Sequence, residues 1–155
     1  MYEYNCKIVR VVDGDTVDVD IDLGFDTWRC GERIRLYGID TPECRTRDAE
    51  EKAAGLLAKD FVESCLHVGE TYQLTTKEKG KFGRYLGVIR LSGEKSINAI
   101  LVEERLAVAY SGQSKDDIQA AHLENRRFLK EKGFLEGKGV SRVLLDFLFT
   151  ETPNG

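Results

Sequence analysis

Arg33-Ile34-Arg35-Leu36-Tyr37-Gly38-Ile39-Asp40-Thr41-Pro42-Glu43 is the stretch on which the reading of this 155-residue chain turns. It opens as a strand: Ile34, Leu36 and Gly38 alternate with Arg35, Tyr37 and Ile39, so the two sets face opposite sides. Pro42 lacks a backbone donor and holds Thr41 extended, breaking the strand at Asp40-Thr41-Pro42. The break gathers two carboxylates and a carbonyl, those of Asp40, Glu43 and Thr41, within four residues. Hard oxygens of this kind suit Ca2+, and Arg35 on the same strand suits a phosphate. Asp-Thr-Pro-Glu alone reads equally as a plain turn or helix entry, with Asp40 bonded to its own backbone. The remaining stretches decide between the two.

Upstream, Lys7-Ile8-Val9-Arg10-Val11-Val12 reads as a strand, and Asp13-Gly14-Asp15 as the hairpin turn that ends it. The next strand carries Val17, Val19, Ile21 and Leu23 on one face and Asp18, Asp20 and Asp22 on the other. The aspartate spacing resembles a calcium-binding loop, but the glycine comes one residue late and Arg29 stands where the closing glutamate belongs. Those three aspartates therefore read as a solvated strand face. Asp15 stands at the hairpin corner, where it can project over a sheet edge or close an Asx turn. Residues 24–32 read as a longer connection, with Trp28 covering the barrel side.

Downstream, Asp48 with Glu51 forms a capping-box pattern, and Ala53, Leu56, Leu57, Phe61 and Cys65 make one helix face, with Gly69 as the C′ residue. Residues 71–76 and 86–91 are the fourth and fifth strands. Between them, Lys77 to Arg84 holds four positive charges and one negative, a net +3. That is either a solvated basic turn or a loop whose glycines and aromatics, Phe82 and Tyr85, admit and stack on a nucleic-acid chain. Residues 96–106 form a second helix, capped by Ser96 or Asn98. Ser114 with Asp117 opens a third, with Ile118, Ala121, Phe128 and Leu129 inward and His122 at the edge of the face. Five strands, a helix after the third and helices at the end give a mainly β fold with about three helices, a five-stranded barrel of the oligonucleotide-binding type.

The bulk numbers set limits. One domain is expected over 1–133, with an apolar extension over 134–155 packed on it or, alternatively, making a dimer contact. A net charge of −4 argues against a wholly basic nucleic-acid wrapper but not against a nucleic-acid enzyme, because a local basic groove sets the encounter and acidic metal ligands lower the total. Cys6, Cys30, Cys44 and Cys65 lack zinc-site spacing. No signal-peptide pattern or transmembrane run is visible, so a cytoplasmic location with reduced thiols is the expectation.

Three stretches, Val12-Asp13-Gly14-Asp15-Thr16-Val17, residues 35–43 and Lys81-Phe82-Gly83-Arg84, together resemble the staphylococcal nuclease (thermonuclease) family. A weaker echo follows in residues 98–102 and 106–110, so that the resemblance covers roughly Lys7 to Lys132. It implies Ca2+-dependent cleavage of DNA, RNA or both to 3′-phosphate products on an oligonucleotide-binding fold. By that resemblance Asp15 and Asp40 would hold Ca2+ by carboxylate and Thr41 by its carbonyl. Glu43 would be the general base or water-orienting group, Arg35 and Arg84 would grip the scissile phosphate, and Lys81, Tyr85 and Tyr110 would contact the nucleotide. The 24–32 connection and the apolar tail depart from the family pattern. The competing reading is a non-catalytic barrel that binds single strands.

Overall fold

The structure, a computed structural model, describes residues 2–79, 83–91, 93 and 95–136. Among them the order is β1 (Tyr2–Asp13), β2 (Thr16–Asp22), β3 (Trp28–Leu36), β4 (Ile39–Asp40), α1 (Ala49–Cys65), β5 (Thr71–Lys79), β6 (Tyr85–Arg90), α2 (Ile97–Glu103), β7 (Val108–Ala109) and α3 (Lys115–Glu131). Five strands close into a barrel in the order β1-β2-β3-β6-β5, and β4 pairs with β7 outside it. Only the β3–β6 seam is parallel within that barrel; the other pairings are antiparallel. This is the oligonucleotide-binding barrel expected from the strand pattern.

Alternation explains the barrel interior. Ile8, Val17, Val19, Ile34, Leu36, Leu74 and Ile89 are all buried, each on the inward parity of its strand. β1 begins at Tyr2, earlier than the Lys7 of the sequence reading, because residues Tyr2 to Lys7 pair with β5. Asp18, Asp20 and Asp22 are not simply solvated. Asp18 bonds Arg33 at 2.9 Å, and Asp20 and Asp22 accept from the Gly31 and Gly24 amides at 2.8 Å.

Two strand boundaries differ from expectation for backbone reasons. The connection assigned to 24–32 ends by residue 27: Leu23 N donates to Thr27 O at 2.8 Å, and Gly24, Phe25 and Asp26 all take positive φ, reversing the chain in little space. Leu23, expected inward, is consequently exposed. Trp28 lies on the barrel side with the Lys7 ammonium 5.1 Å from its ring. The strand expected to run through Ile39 stops at Leu36, where Gly38 (φ 79) turns the chain. That turn buries Ile39, which would otherwise share a face with Arg35, and starts β4 along a new line.

Asp48 caps α1, its Oδ1 accepting from the amides of Glu50 (3.0 Å) and Glu51 (3.1 Å). Glu51 does not complete the capping box; its carboxylate accepts from the Thr46 hydroxyl. Helix α1 buries Ala54, Leu57, Ala58, Phe61 and Val62 and leaves Leu56 exposed, a rotation of the face read from sequence. It ends at Leu66, so Gly69 serves the turn into β5 and is not the C′ residue. Ser96 caps α2 and Ser114 caps α3. Phe134 is buried in the core. The apolar residues from 137 onward, with the packing or dimer contact expected of them, lie outside the described residues. No described helix is long and apolar enough to cross a membrane.

Candidate active site

The hairpin turn between β1 and β2, the end of β3, the segment after β4 and the start of β6 meet at one end of the barrel. Asp13, Asp15, Arg35, Asp40, Glu43 and Arg84 all line a single cleft of about 250 Å3 there, together with Thr41. Antiparallel pairing places Thr16 beside Arg35, and the Asp15 carbonyl accepts from Leu36 N at 2.7 Å, which fixes the corner against β3. Parallel pairing puts Tyr85 beside Ile34, so Arg84 enters from the neighbouring strand.

Arg35 is the hub. Its guanidinium pairs with the Asp15 carboxylate and donates to Asp40 Oδ1 at 3.1 Å. Burial works against its charge, but Asp15 and then Asp40 outweigh it and raise its pKa further. Asp15 also accepts from the Thr16 hydroxyl at 3.0 Å and lies 3.5 Å from the Thr41 amide. At Asp40 burial opposes ionisation, yet His122 and then Arg35 hold the carboxyl below its usual range.

Glu43 behaves oppositely: burial, then the charges of Asp15, Asp40 and Asp13, push its pKa up. The lining explains why. Four carboxylates (Asp13, Asp15, Asp40, Glu43) face two guanidiniums (Arg35, Arg84), an excess of two acidic groups over guanidiniums among the described lining residues. That excess and the all-oxygen donors of Asp15, Asp40 and Thr41 fit a hard divalent cation. Among the described residues no three carboxylate, imidazole or thiol groups cluster tightly enough to enclose an ion by themselves. An ion that keeps several waters and takes a backbone carbonyl suits such a site. Cys44 is pushed up to about 11 by burial and Asp13, so its thiol stays protonated and is a poor nucleophile.

Of the nucleotide contacts expected, Tyr110 is half exposed and borders two hollows beside the cleft, its amide bonded to Gly38 O at 2.8 Å. The Tyr85 ring lies 5.8 Å from the Arg29 guanidinium and does not line the cleft. Lys81 lies outside the described residues.

Asp13, given no site role in the sequence reading, lines the cleft, and His122 and Asn98 behind it also bear on the site. His122 is buried, and its Nε2 lies 2.8 Å from Asp40 Oδ2. Asn98 is buried too: its side chain donates to Tyr37 O (2.9 Å) and Gly87 O (3.2 Å) and accepts from Ile89 N (3.3 Å), tying the turn after β3 to β6. The signal for His122 was its place in the stripe Ile118, His122, Arg126, Leu129, whose spacing is helical although two members are polar.

The sequence profile of the family described as "Staphylococcal nuclease homologue" matches residues 33–132. An "Uncharacterized endonuclease" of Escherichia coli is 29% identical over 127 residues, covering 82% of this chain and 74% of that protein. "Micrococcal nuclease" of Shigella flexneri is 34% identical over 116 residues (70% and 59%), and "Thermonuclease" of Staphylococcus intermedius 35% over 103 (66% and 57%). The chain thus spans less than two thirds of the length of the last two. With two thirds of its length inside the profile and its acidic and arginine groups drawn into one cleft, the chain belongs to the staphylococcal nuclease homologue family.

Proposed function

We propose that the protein is a Ca2+-dependent nuclease that hydrolyses phosphodiester bonds of DNA, RNA or both and leaves 3′-phosphate ends. Family membership and the nuclease names of its relatives support the general activity. The observation that carries the finer reading is the excess of acidic groups over arginines among the described lining of the cleft.

The chemistry follows from charge development. Glu43 accepts or orients the proton of a water that attacks phosphorus in line with the 5′ oxygen. The P–O5′ bond breaks, solvent supplies a proton to the leaving oxygen, and the phosphate stays on the 3′ side. Arg35 and Arg84 grip the non-bridging oxygens with planar, permanently charged donors that offset the rise in charge. Asp15, Asp40 and the Thr41 carbonyl would hold Ca2+, which would supply further positive charge at those oxygens. Arginine remains a fixed cation, so Arg84 acts electrostatically and not as the proton donor. Lys81, Tyr85 and Tyr110 serve the flanking nucleotides.

A barrel that only bound single strands would place carboxylates away from the phosphates. Four in the cleft speak for chemistry. The test is incubation of single-stranded and duplex DNA and RNA with Ca2+ or with EDTA. Cleavage confined to Ca2+, lost in Glu43→Gln, with products that accept a 5′ label directly, supports the proposal. Tight binding without cleavage in any divalent metal refutes it.

A further inference from the structure

Helix α3 turns one polar stripe inward, and its two buried polar members reach opposite ends of the same segment. His122 and Arg126 are one turn apart and 9% and 5% exposed. His122 Nε2 meets Asp40 Oδ2 at 2.8 Å, at the start of the segment. Arg126 Nη1 donates to Asp48 Oδ2 at 3.2 Å, at its end. Both aspartates are used twice in the same manner. Asp40 gives its other oxygen to Arg35, and Asp48 gives its other oxygen to the first turn of α1.

Residues 41–47 are strung between these points and carry Thr41 and Glu43. Near their start, at Pro42 and Glu43, they lie against α1 where that helix has no side chain: a Cβ on Gly55 would stand 2.5 Å from Glu43 O and 2.8 Å from Pro42 O. Stability alone does not account for the two buried polar groups. His122 Nδ1 and Arg126 Nε are buried without a hydrogen-bond partner among the described residues, Glu50 Oε1 standing 4.0 Å from Arg126 Nε, an arrangement that costs stability and that an apolar pair would avoid.

We infer that His122 and Arg126 are positioning residues, a two-point clamp by which α3 aims the Asp40 carboxylate and holds Thr41 and Glu43 at the cleft. The clamp deepens the nuclease reading and rests on it for its link to catalysis, but its mechanical part does not. Partners that orient a metal-ligating group typically change affinity or activity about 10–100-fold when removed. Phe at position 122 keeps a ring and loses the bond, whereas Gln can present an amide nitrogen where imidazole Nε2 stands.

The full-length H122F, H122Q, R126M and R126K proteins are compared with wild type by three measurements. These are amide hydrogen exchange of residues 41–47, the Ca2+-induced rise in melting temperature, and kcat and KM on an oligonucleotide. H122F and R126M are expected to speed exchange in 41–47 by tenfold or more. H122F also loses most of the Ca2+-induced rise and about 10–100-fold in kcat, with KM changed less. H122Q is expected to recover most of each loss. Unchanged exchange in H122F, or equal impairment of H122Q and H122F, overturns the clamp. If H122F folds poorly, H122N, too short to span the gap, is read in its place. Wild-type protein that neither cleaves nor responds to Ca2+ refutes the nuclease reading, and the exchange measurement still judges the clamp.

Discussion

Arg35→Met removes one of the two guanidiniums that offset the acids of the cleft, the one bound to Asp15 and Asp40. Arg35 serves two carboxylates, Asp15 and Asp40, and its side chain is only 20% exposed. Charge-assisted hydrogen bonds contribute about 1.5–3 kcal/mol each, and methionine keeps the packing of the stem while leaving two carboxylates facing Glu43. A net loss of about 3 kcal/mol is expected in EDTA. At about 2–4 °C per kcal/mol for a chain of this size, melting falls by about 6–12 °C. Calcium changes the comparison. Asp15 and Asp40 are no longer shared with a guanidinium, so the variant gains affinity for the ion, and its melting temperature rises more on adding Ca2+ than that of wild type. Turnover is nonetheless expected to fall about 10²–10³-fold, because a donor aimed at the developing charge is gone. The assay is a melting series against Ca2+ concentration for both proteins, followed by rates on an oligonucleotide. A variant melting within 2 °C of wild type in EDTA, or gaining no more from Ca2+ than wild type does, refutes the account of Arg35 as a placeholder for the metal.

Glu43 is expected to titrate activity. Its pKa is raised above the unfolded value, so folding favours the protonated form; its contribution to stability is present at low pH and lost as pH rises through the raised pKa. Cleavage should therefore fall as pH drops through that value, and Glu43→Gln should cost about 10²–10⁴ in rate while melting no lower than wild type at pH 7 in EDTA. Gly55→Ala gains about 1 kcal/mol of helix propensity but drives a Cβ into the carbonyls of Pro42 and Glu43; a net loss of about 1–3 kcal/mol is expected, with reduced turnover, as measured by denaturant unfolding and rate. Asn98→Ala leaves the Tyr37 and Gly87 carbonyls and the Ile89 amide without their shared partner and should cost about 3 kcal/mol; a loss under 1 kcal/mol would show that water replaces it.

The strands were legible because a half-buried strand writes its parity into the sequence, and Val17, Val19, Ile34 and Leu36 do so without exception. The hairpin at Asp13-Gly14-Asp15 was legible from turn chemistry alone. Where the reading erred, a backbone event overrode the pattern: the turn at Gly38 halted a strand that alternation would have continued, and three successive positive-φ residues compressed the 24–32 connection. The cleft residues were found through motifs, since no local rule says that Asp15 and Arg84 meet. His122 and Arg126 were missed for the opposite reason. An inward stripe is recognised by being apolar, and these two positions are buried because each has an aspartate to meet.

The single parallel pairing that closes the barrel joins Ile34, Arg35 and Leu36 to Tyr85, Leu86 and Gly87, about fifty residues later in the chain. Among the described residues that line the cleft, every acidic group, and Arg35, comes from the side of that join which precedes α1, and Arg84 alone from the other. Unzipping it leaves the three-stranded meander of β1, β2 and β3 with Asp13, Asp15 and Arg35, yet separates them from Arg84. Assembly of the cleft is thereby tied to a seam between strands about fifty residues apart, so that half of the chain alone carries the first arginine without its counterpart.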